Sequence, residues 1–513
     1  MKPIRLLSGF LTVGFWTLAS RILGFLREVL ILNFVGPSAA LDAFVVAFRL
    51  PNMFRRFFAE GAFNAAFVPM FAKRVEEGDD AALFAQQALN FLASLVLALV
   101  GVGMIFMPAL VWMTAEGFHG DQRFDMAVGF GRVVFPYLLL MSMAALFSGV
   151  LNAAGHFAAA AAAPVLLNIF ACSALLLGAT LGGEVIEWLL WTIPVAGVAQ
   201  LVLVWVATER AGFKLRPGFP RWNKDMSQLV RIAIPAALAS GVMQINLIVG
   251  QIVASRTETA VSWLFAADRL YQLPLGVVGI ATGIVLLPEL SRKLRAGDAT
   301  GARHAFSRAG EFSLLFVLPC AVALIVVPLP IVSVLFERGA TDATDSKAIA
   351  LACMIYGLGL PAFVLQKVLQ PLYFAREDTK TPFRYAAWSV VINAGGALAL
   401  EPVIGWIAPA VAATVAAWVM IAMLYFGSRS MGDAASFDTR FRARISRICL
   451  ASLAMGVTLY LAYSLTSAAF TVPGWRYLAL SLLILGGMAV YAVTAQLLGA
   501  FKLSDVKEGL RRG

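Results

Sequence analysis

An all-α polytopic membrane fold, with about fourteen transmembrane helices in two six-helix lobes and a C-terminal helix pair, is what this sequence predicts. Three observations predict it. The chain is 60% hydrophobic and only 13% charged, whereas soluble domains carry about 25% charged residues. Its mean hydropathy is +0.83, and apolar runs of about 20 residues recur along its length. The basic residues also collect in alternate connections, as the positive-inside rule requires of a chain that crosses a bilayer repeatedly.

The first lobe is expected over residues 1–209, with spans at 10–34, 37–58, 88–114, 127–151, 159–181 and 186–208. The basic start "MKPIRLLSGF" suggests a leader, but the apolar run continues to Phe34 without a convincing small-residue cleavage site, so it reads as a retained first span. A basic linker at 210–228 leads to a second lobe over 229–428, with spans at 229–254, 262–288, 312–336, 348–372, 384–403 and 406–427. A basic loop at 429–445 precedes a final pair at 446–467 and 475–499 (446–500 as a unit), and a basic tail occupies 501–513. The first, second and eighth spans are the least hydropathic because they hold charges. "ERAGFKLRPGFPRWNKD", "SRKLRAGDATGARHAFSR", "REDTKTPFR" and "SRSMGDAASFDTRFRARISR" lie on one side, which is predicted cytoplasmic together with both termini. The net charge of +11 is therefore a topology signal beside anionic lipid and calls for no nucleic-acid partner. "FERGATDATD", after the ninth span, reads as a solvated polar connector.

Two stretches repeat. From Leu50 and from Arg269, Pro69 falls on Pro288, Lys73-Arg74 on Arg292-Lys293, and Gly78-Asp79 on Gly297-Asp298, all 219 residues apart. Six spans plus loops fit that offset. An even number of spans leaves both copies the same way up, predicting a parallel pseudo-twofold repeat around a central cavity.

The charges inside the apolar spans are the functional signal. At 100° per residue, Thr17, Ser20, Arg21, Gly24, Arg27 and Glu28 share an arc of about 120°, with Phe15, Ile22, Leu26 and Leu30 opposite. In the second span Asp42, Arg49 and Arg56 recur every seven residues and so lie nearly in line, and Pro51 is expected to bend the helix near Arg49. Arg55 and Arg56 fall at the predicted cytoplasmic rim. The eighth span adds Asp268 and Arg269, with Gln272 a turn on. An intramembrane arginine costs roughly 2.5–3.5 kcal/mol on insertion scales, so each needs a reason. Structural ion pairs, such as Arg21 with Glu28 or Asp42 with Arg49, are one. They leave a surplus, because Arg21, Arg27, Arg49 and Arg269 outnumber Glu28, Asp42 and Asp268. A wet cavity with excess guanidinium suits an anionic substrate, since arginine grips phosphate through two parallel donors and stays charged.

Other chemistry is excluded on motif grounds. There is no Walker-type phosphate loop and no G-x-S-x-G elbow. Cys172, Cys320, Cys353 and Cys449 lack metal or redox spacing, and three histidines are scattered, so no metal site or cofactor is expected. The readings left open are a transporter of an anionic, pyrophosphate-bearing substrate, a cation-coupled drug antiporter, and a membrane scaffold acting through its basic loops. The first is favoured by the arginine surplus; a cavity for cationic drugs would be acidic or aromatic.

"SRILGFLREV", "LDAFVVAFRLPNMFRRFFAEGAF", "DRLYQLPLGV" and "YFAREDTKTPFR" resemble the MurJ (MviN) lipid II flippases of bacteria, part of the multidrug/oligosaccharidyl-lipid/polysaccharide exporter superfamily. The resemblance runs through nearly the whole chain. It implies a non-enzymatic transporter that carries lipid II, the undecaprenyl-pyrophosphate-linked disaccharide-pentapeptide, from the cytoplasmic to the periplasmic leaflet of the inner membrane for peptidoglycan synthesis. It further implies alternating access, a C-terminal helix pair whose groove holds the lipid tail, and membrane lipids and cell-wall synthesis machinery as partners. Residues important to that family fall on Ser20, Arg21, Arg27, Asp42, Arg49, Arg55, Arg56, Glu60 and Arg269. Arg21, Arg27, Arg49, Arg269 and Ser20 would meet substrate; Asp42, Glu28, Arg55, Arg56, Glu60, Asp268 and Gln272 would gate or balance charge. Gln272 departs from the pattern, since relatives carry an acid there, and Asp268 is the acid available to replace it. The span from Arg231 to Ala254 holds no acid and the eleventh offers Asn393, so the sodium site of some relatives is not expected.

Overall fold

The computed structural model describes the backbone of residues 6–56, 63–472 and 474–501. Among these residues the secondary structure is helical throughout, with no strand. Every predicted span coincides with a helix: α1 Leu6–Phe34, α2 Ala39–Arg55, α4 Ala81–Ile105 with α5 Met107–Thr114, α6 Gln122–Val134 with α7 Tyr137–Ala153, α8 Ala158–Leu181, α9 Val185–Arg210, α10 Lys224–Ser255, α11 Ala260–Arg295, α12 Ala299–Val326 with α13 Pro328–Phe336, α14 Ala343–Phe374, α15 Lys380–Ile404, α16 Ala408–Ser428, α17 Thr439–Thr466 and α18 Trp475–Leu497. By length and apolar content alone, nine helical stretches among the described residues could cross a membrane, one of them joining α15 and α16. The helices α1, α2, α10 and α11 are not among these nine, α2 being 17 residues long.

Three spans expected to be continuous are broken, each beside a proline. Pro108 stands in the first turn of α5, Pro136 immediately before α7, and Pro328 opens α13. A proline in the first turn of a helix gives up an N–H that has no intrahelical partner there, so it favours a restart over continuation. The third and ninth spans break at matching places, in keeping with the repeat. A further helix, α3 Asn64–Glu77, was not foreseen, because its lysine, arginine and glutamates make it too polar to read as a span. It ends at Gly78 with φ +70°, and the Asp79 N–H closes back on the Arg74 carbonyl at 3.1 Å. The second copy ends α11 in the same way, with Gly297 also at φ +70° and Asp298 N–H on Lys293 O at 3.0 Å. The matched Gly-Asp pairs are thus left-handed helix stops, where glycine carries no Cβ penalty.

The chain divides into two compact units, residues 1–262 and 263–513. In the first, α1 packs on α8, α8 on α9, α2 on α6, α7 on α4 and α9, and α10 reaches α3, α4 and α5. Buried Gln200 of α9 ties three helices, accepting from the Tyr137 hydroxyl of α7 (3.1 Å) and donating to the Ala163 carbonyl of α8 (2.8 Å). In the second unit, α14 packs against α12, α13 and α16, α15 against α16, and α17 bridges α12 and α18. The connector after α13 is built rather than loose. The Arg338 guanidinium donates to the Val334 carbonyl at 2.9 Å and to Leu335 O at 2.6 Å, closing α13, while Asp342 and Asp345 form a capping box that starts α14.

Candidate functional site

The sidedness of α1 appears in the structure: Phe15, Leu18, Ile22 and Leu26 are exposed, while Ser20, Arg21, Gly24 and Arg27 are half-buried and Glu28 is buried. The Arg27 guanidinium is held from two directions. One amino group meets the Glu28 carboxylate at 2.5 Å, and the other donates to Asn168 Oδ1 at 3.0 Å. Asn168, buried on α8, turns its own amide to the Ser20 carbonyl at 2.9 Å and to the Ser20 hydroxyl at 3.4 Å. One asparagine thus spans both ends of the polar stripe and docks α1 on α8. Arg21 makes no ion pair among the described residues. The Arg21–Glu28 pair weighed from sequence is absent; Glu28 serves Arg27.

In α2, the row Asp42, Arg49, Arg56 runs from full burial through half-burial to exposure. Pro51 lies inside an unbroken helix, and the Asn52 amide donates to the Phe48 carbonyl at 2.8 Å. Arg55 is half-buried at the helix end, Arg56 caps it, and Glu60 lies outside the described residues. Asp42 does not pair with Arg49 through any contact of its carboxylate given by the geometry. Its two oxygens instead accept from the Thr259 N–H (2.9 Å), the Ser262 N–H (2.9 Å) and the Ser262 hydroxyl (2.6 Å), with Arg123 Nη1 at 3.3 Å. Asp42 therefore caps the start of α11 from another helix, satisfying N–H groups that a helix leaves open. Thr259 has φ +64°, which is costly for a β-branched residue, and the carboxylate holds it there.

Arg123, on α6, is 4% exposed. It reaches Asp121 Oδ2 at 2.5 Å, Asp42 at 3.3 Å and the Thr257 carbonyl at 3.4 Å, and lies over the Phe118 ring at 4.5 Å. An arginine this deeply buried is tolerated because its Nε and Nη1 find acceptors, two of them carboxylates. Neither Arg123 nor Asn168 was singled out from sequence.

In the second unit, α11 carries Asp268, Arg269 and Gln272, all half-buried. The Gln272 amide donates to the Asp268 carboxylate one turn back, and the Arg269 guanidinium lies 4.6 Å from the centre of the Phe265 ring. Gln272 thus partners the nearby acid. The same unit holds an apolar groove of about 440 Å³ between α12, α13, α17 and α18, lined by Leu315, Pro319, Ile331, Met455, Leu483 and Met488 among others. Gly456 and Gly487 keep its walls close: a Cβ on either would come within 2.6 Å of Val322 or 2.8 Å of Leu459.

With this geometry in hand, comparison with known proteins is informative. A family profile described as "Lipid II flippase MurJ" matches residues 31–480. The "Probable lipid II flippase MurJ" of Rhizobium tropici is 43% identical over 99% of this chain and 97% of its own. The "Lipid II flippase MurJ" of Burkholderia cenocepacia is 34% identical over 84% of this chain and 85% of its own. Among solved structures, a "Lipid II flippase MurJ, inward closed conformation" superposes with a TM-score of 0.79 at 24% identity, covering 94% of this chain and 98% of that one. An inward-facing "multidrug resistance MATE family transporter of the MOP superfamily" follows the same fold with a TM-score of 0.70 at 14% identity, over 80% of this chain and 94% of that one.

Proposed function

The chain belongs to the MurJ family of lipid II flippases, and on that premise we propose that it flips lipid II by alternating access, with its intramembrane arginines gripping the diphosphate. It is a transporter, not an enzyme. The single observation that carries the site assignment is the contrast on α1: Arg27 is braced by Glu28 and Asn168, while Arg21 on the same face makes no ion pair among the described residues. A braced guanidinium beside one that makes no such pair suits an anion that must be bound without large rearrangement and then released. Arg49 and Arg269 add positive charge, and Ser20 a hydroxyl, to the same task. Asp42 orders the start of α11 rather than meeting substrate; Asp268 with Gln272, and Arg55, Arg56 and Glu60 at the rim, balance charge and gate.

The sugar-peptide headgroup travels in water through the cavity, and the polyprenyl chain stays apolar throughout, since hydrocarbon gains nothing in a cationic chamber. The apolar groove between α12, α13, α17 and α18 suits that chain. In this reading the protein lies in the bacterial inner membrane with both termini cytoplasmic, among anionic lipids and beside the enzymes that consume lipid II. The test is depletion in the host followed by a leaflet assay. Lipid II should accumulate on the cytoplasmic side and be cleared by the wild-type protein. Arg21→Ala and Arg27→Ala should reach the membrane at normal levels and fail to clear it; clearance by both variants overturns the assignment.

A further inference from the structure

Residues 211–223 join α9 to α10 without regular secondary structure beyond the turn that leaves α9, yet they are not slack. Gln86 of α4 clamps the backbone of Arg216 from both sides, accepting from its N–H at 2.8 Å and donating to its carbonyl. Asn90, one turn on, donates to the Phe219 carbonyl at 3.3 Å, and the Asn223 amide donates to Gln87 at 2.6 Å. Inward-facing side chains alternate with outward ones: Phe213 meets Phe71 edge-on and Leu215 is buried, while Lys214 and Arg216 are exposed. Pro217 and Pro220 keep the segment extended.

What it presents outward is specific in kind. Phe219 is 93% exposed and Trp222 is 65% exposed, its ring edge-on to Phe91 of α4. Between Arg210 and Lys224 the chain carries five basic residues and no acid. Gln86 and Asn90 bracket the start of the third apolar span, so the strap runs at the level where that helix enters the bilayer. Its extended, non-helical backbone excludes it from hydrocarbon, and its exposed aromatic rings are ill suited to bulk water. Aromatic and basic side chains at one level are the chemistry of the interface of an anionic leaflet.

We propose that residues 211–223 form an interfacial strap that binds anionic lipid headgroups, with Phe219 and Trp222 inserted at the acyl boundary and Lys214, Arg216 and Arg221 on the phosphates. The strap moors α4, α9 and α10 to one leaflet independently of the transported substrate.

The full chain, labelled with 5-fluorotryptophan, is placed in nanodiscs of phosphatidylcholine with or without phosphatidylglycerol, and Trp222→Phe identifies the Trp222 resonance. A gadolinium chelate on the lipid headgroup should broaden that resonance, more so with phosphatidylglycerol present. In Lys214→Gln/Arg216→Gln/Arg221→Gln the added effect of phosphatidylglycerol should disappear, because each surface charge contributes roughly fivefold to anionic-leaflet affinity. All three side chains are exposed, so this variant should fold. Gln86→Ala, which releases the clamp, should reduce the broadening with the charges intact. Broadening only by a water-soluble agent would overturn the proposal and leave the strap as a surface for a protein partner. Equal broadening in neutral and anionic discs would overturn the headgroup assignment.

Discussion

At the scale of single residues, the polar contacts that matter most link positions far apart in the chain. Asn168 touches Arg27 across 141 residues, and Arg123 touches Asp42 across 81. The stripe on α1 was legible because its charges sit in an apolar run at helical spacing, where each is costly enough to need explanation. Asn168 carries a weaker flag: an uncharged amide costs less in an apolar helix than a guanidinium does, and only packing reveals that it serves both Ser20 and Arg27. The Asp42–Arg49 pair weighed from sequence gives way to Thr259, Ser262 and Arg123 for a related reason. Periodicity aligns residues on one helix and says nothing of a second helix arriving at its buried face. Asn168→Ala should leave the fold nearly intact while freeing the Arg27 fork. Losing a hydrogen bond to a charged group costs about 1.5–3 kcal/mol, so affinity of the purified protein for lipid II should fall roughly ten- to a hundredfold. Unchanged affinity would mean that Asn168 only packs α8 on α1.

At the scale of elements, the sequence located the spans well and their interruptions poorly, since hydropathy averages over the very prolines that break α4 from α5, α6 from α7, and α12 from α13. Helix starts carry their own chemistry. Asp438 caps α17 through the Phe441 N–H at 2.6 Å and meets the Arg308 guanidinium of α12 at 2.7 and 2.8 Å. Buried Glu311 of α12 gathers Arg308, Arg440 and Arg444, so α12 and α17 are fastened by a cluster of charges at the end of the apolar groove's walls. Burial alone would raise Asp438, but the Phe441 N–H, the Arg308 fork and the charges of Arg308 and His304 hold its carboxyl below the ordinary value. A depressed carboxylate stabilises fully above its unfolded value of about 3.9 and loses that contribution as pH falls through the lower folded value. This fastening should therefore persist through mild acid and fail only below about pH 4. Asp438→Asn keeps a capping oxygen and loses the charge. It should cost about 1–2 kcal/mol at neutral pH and flatten the acid limb of a thermal-unfolding series; an unaltered limb would place the titration elsewhere. The groove makes its own prediction. Ala323→Phe puts a ring into its floor and should slow lipid II transport several-fold while binding of a water-soluble, tail-less diphosphate analogue stays constant. Equal loss of both would divorce the groove from the tail.

At the scale of the whole molecule, one helix carries the argument. The first three residues of α11 belong to the unit ending at Ser262, and the rest, with Asp268 and Arg269, to the unit beginning at Trp263. The hold of Asp42 on Thr259 and Ser262, braced by Arg123, therefore grips this helix at the place where one compact unit gives way to the next. The start of a 36-residue helix needs an anchor for its open N–H groups, and all the groups that supply it lie within residues 1–262. A carboxylate shared among two backbone N–H groups, a hydroxyl and a buried arginine meets that need, because each bond is modest alone and all share one anchor. Arg123→Gln removes the counter-charge and leaves the carboxylate in place. The amides of residues 259 and 262 should then exchange hydrogen roughly tenfold faster, reflecting a local loss of about 1–2 kcal/mol. Exchange in α8, packed on α1 and α9 in the same unit but outside this contact, should hold steady. If the rate rises everywhere in residues 1–262, Arg123 supports the unit as a whole; a rise confined to the start of α11 shows that it braces the Asp42 cap alone.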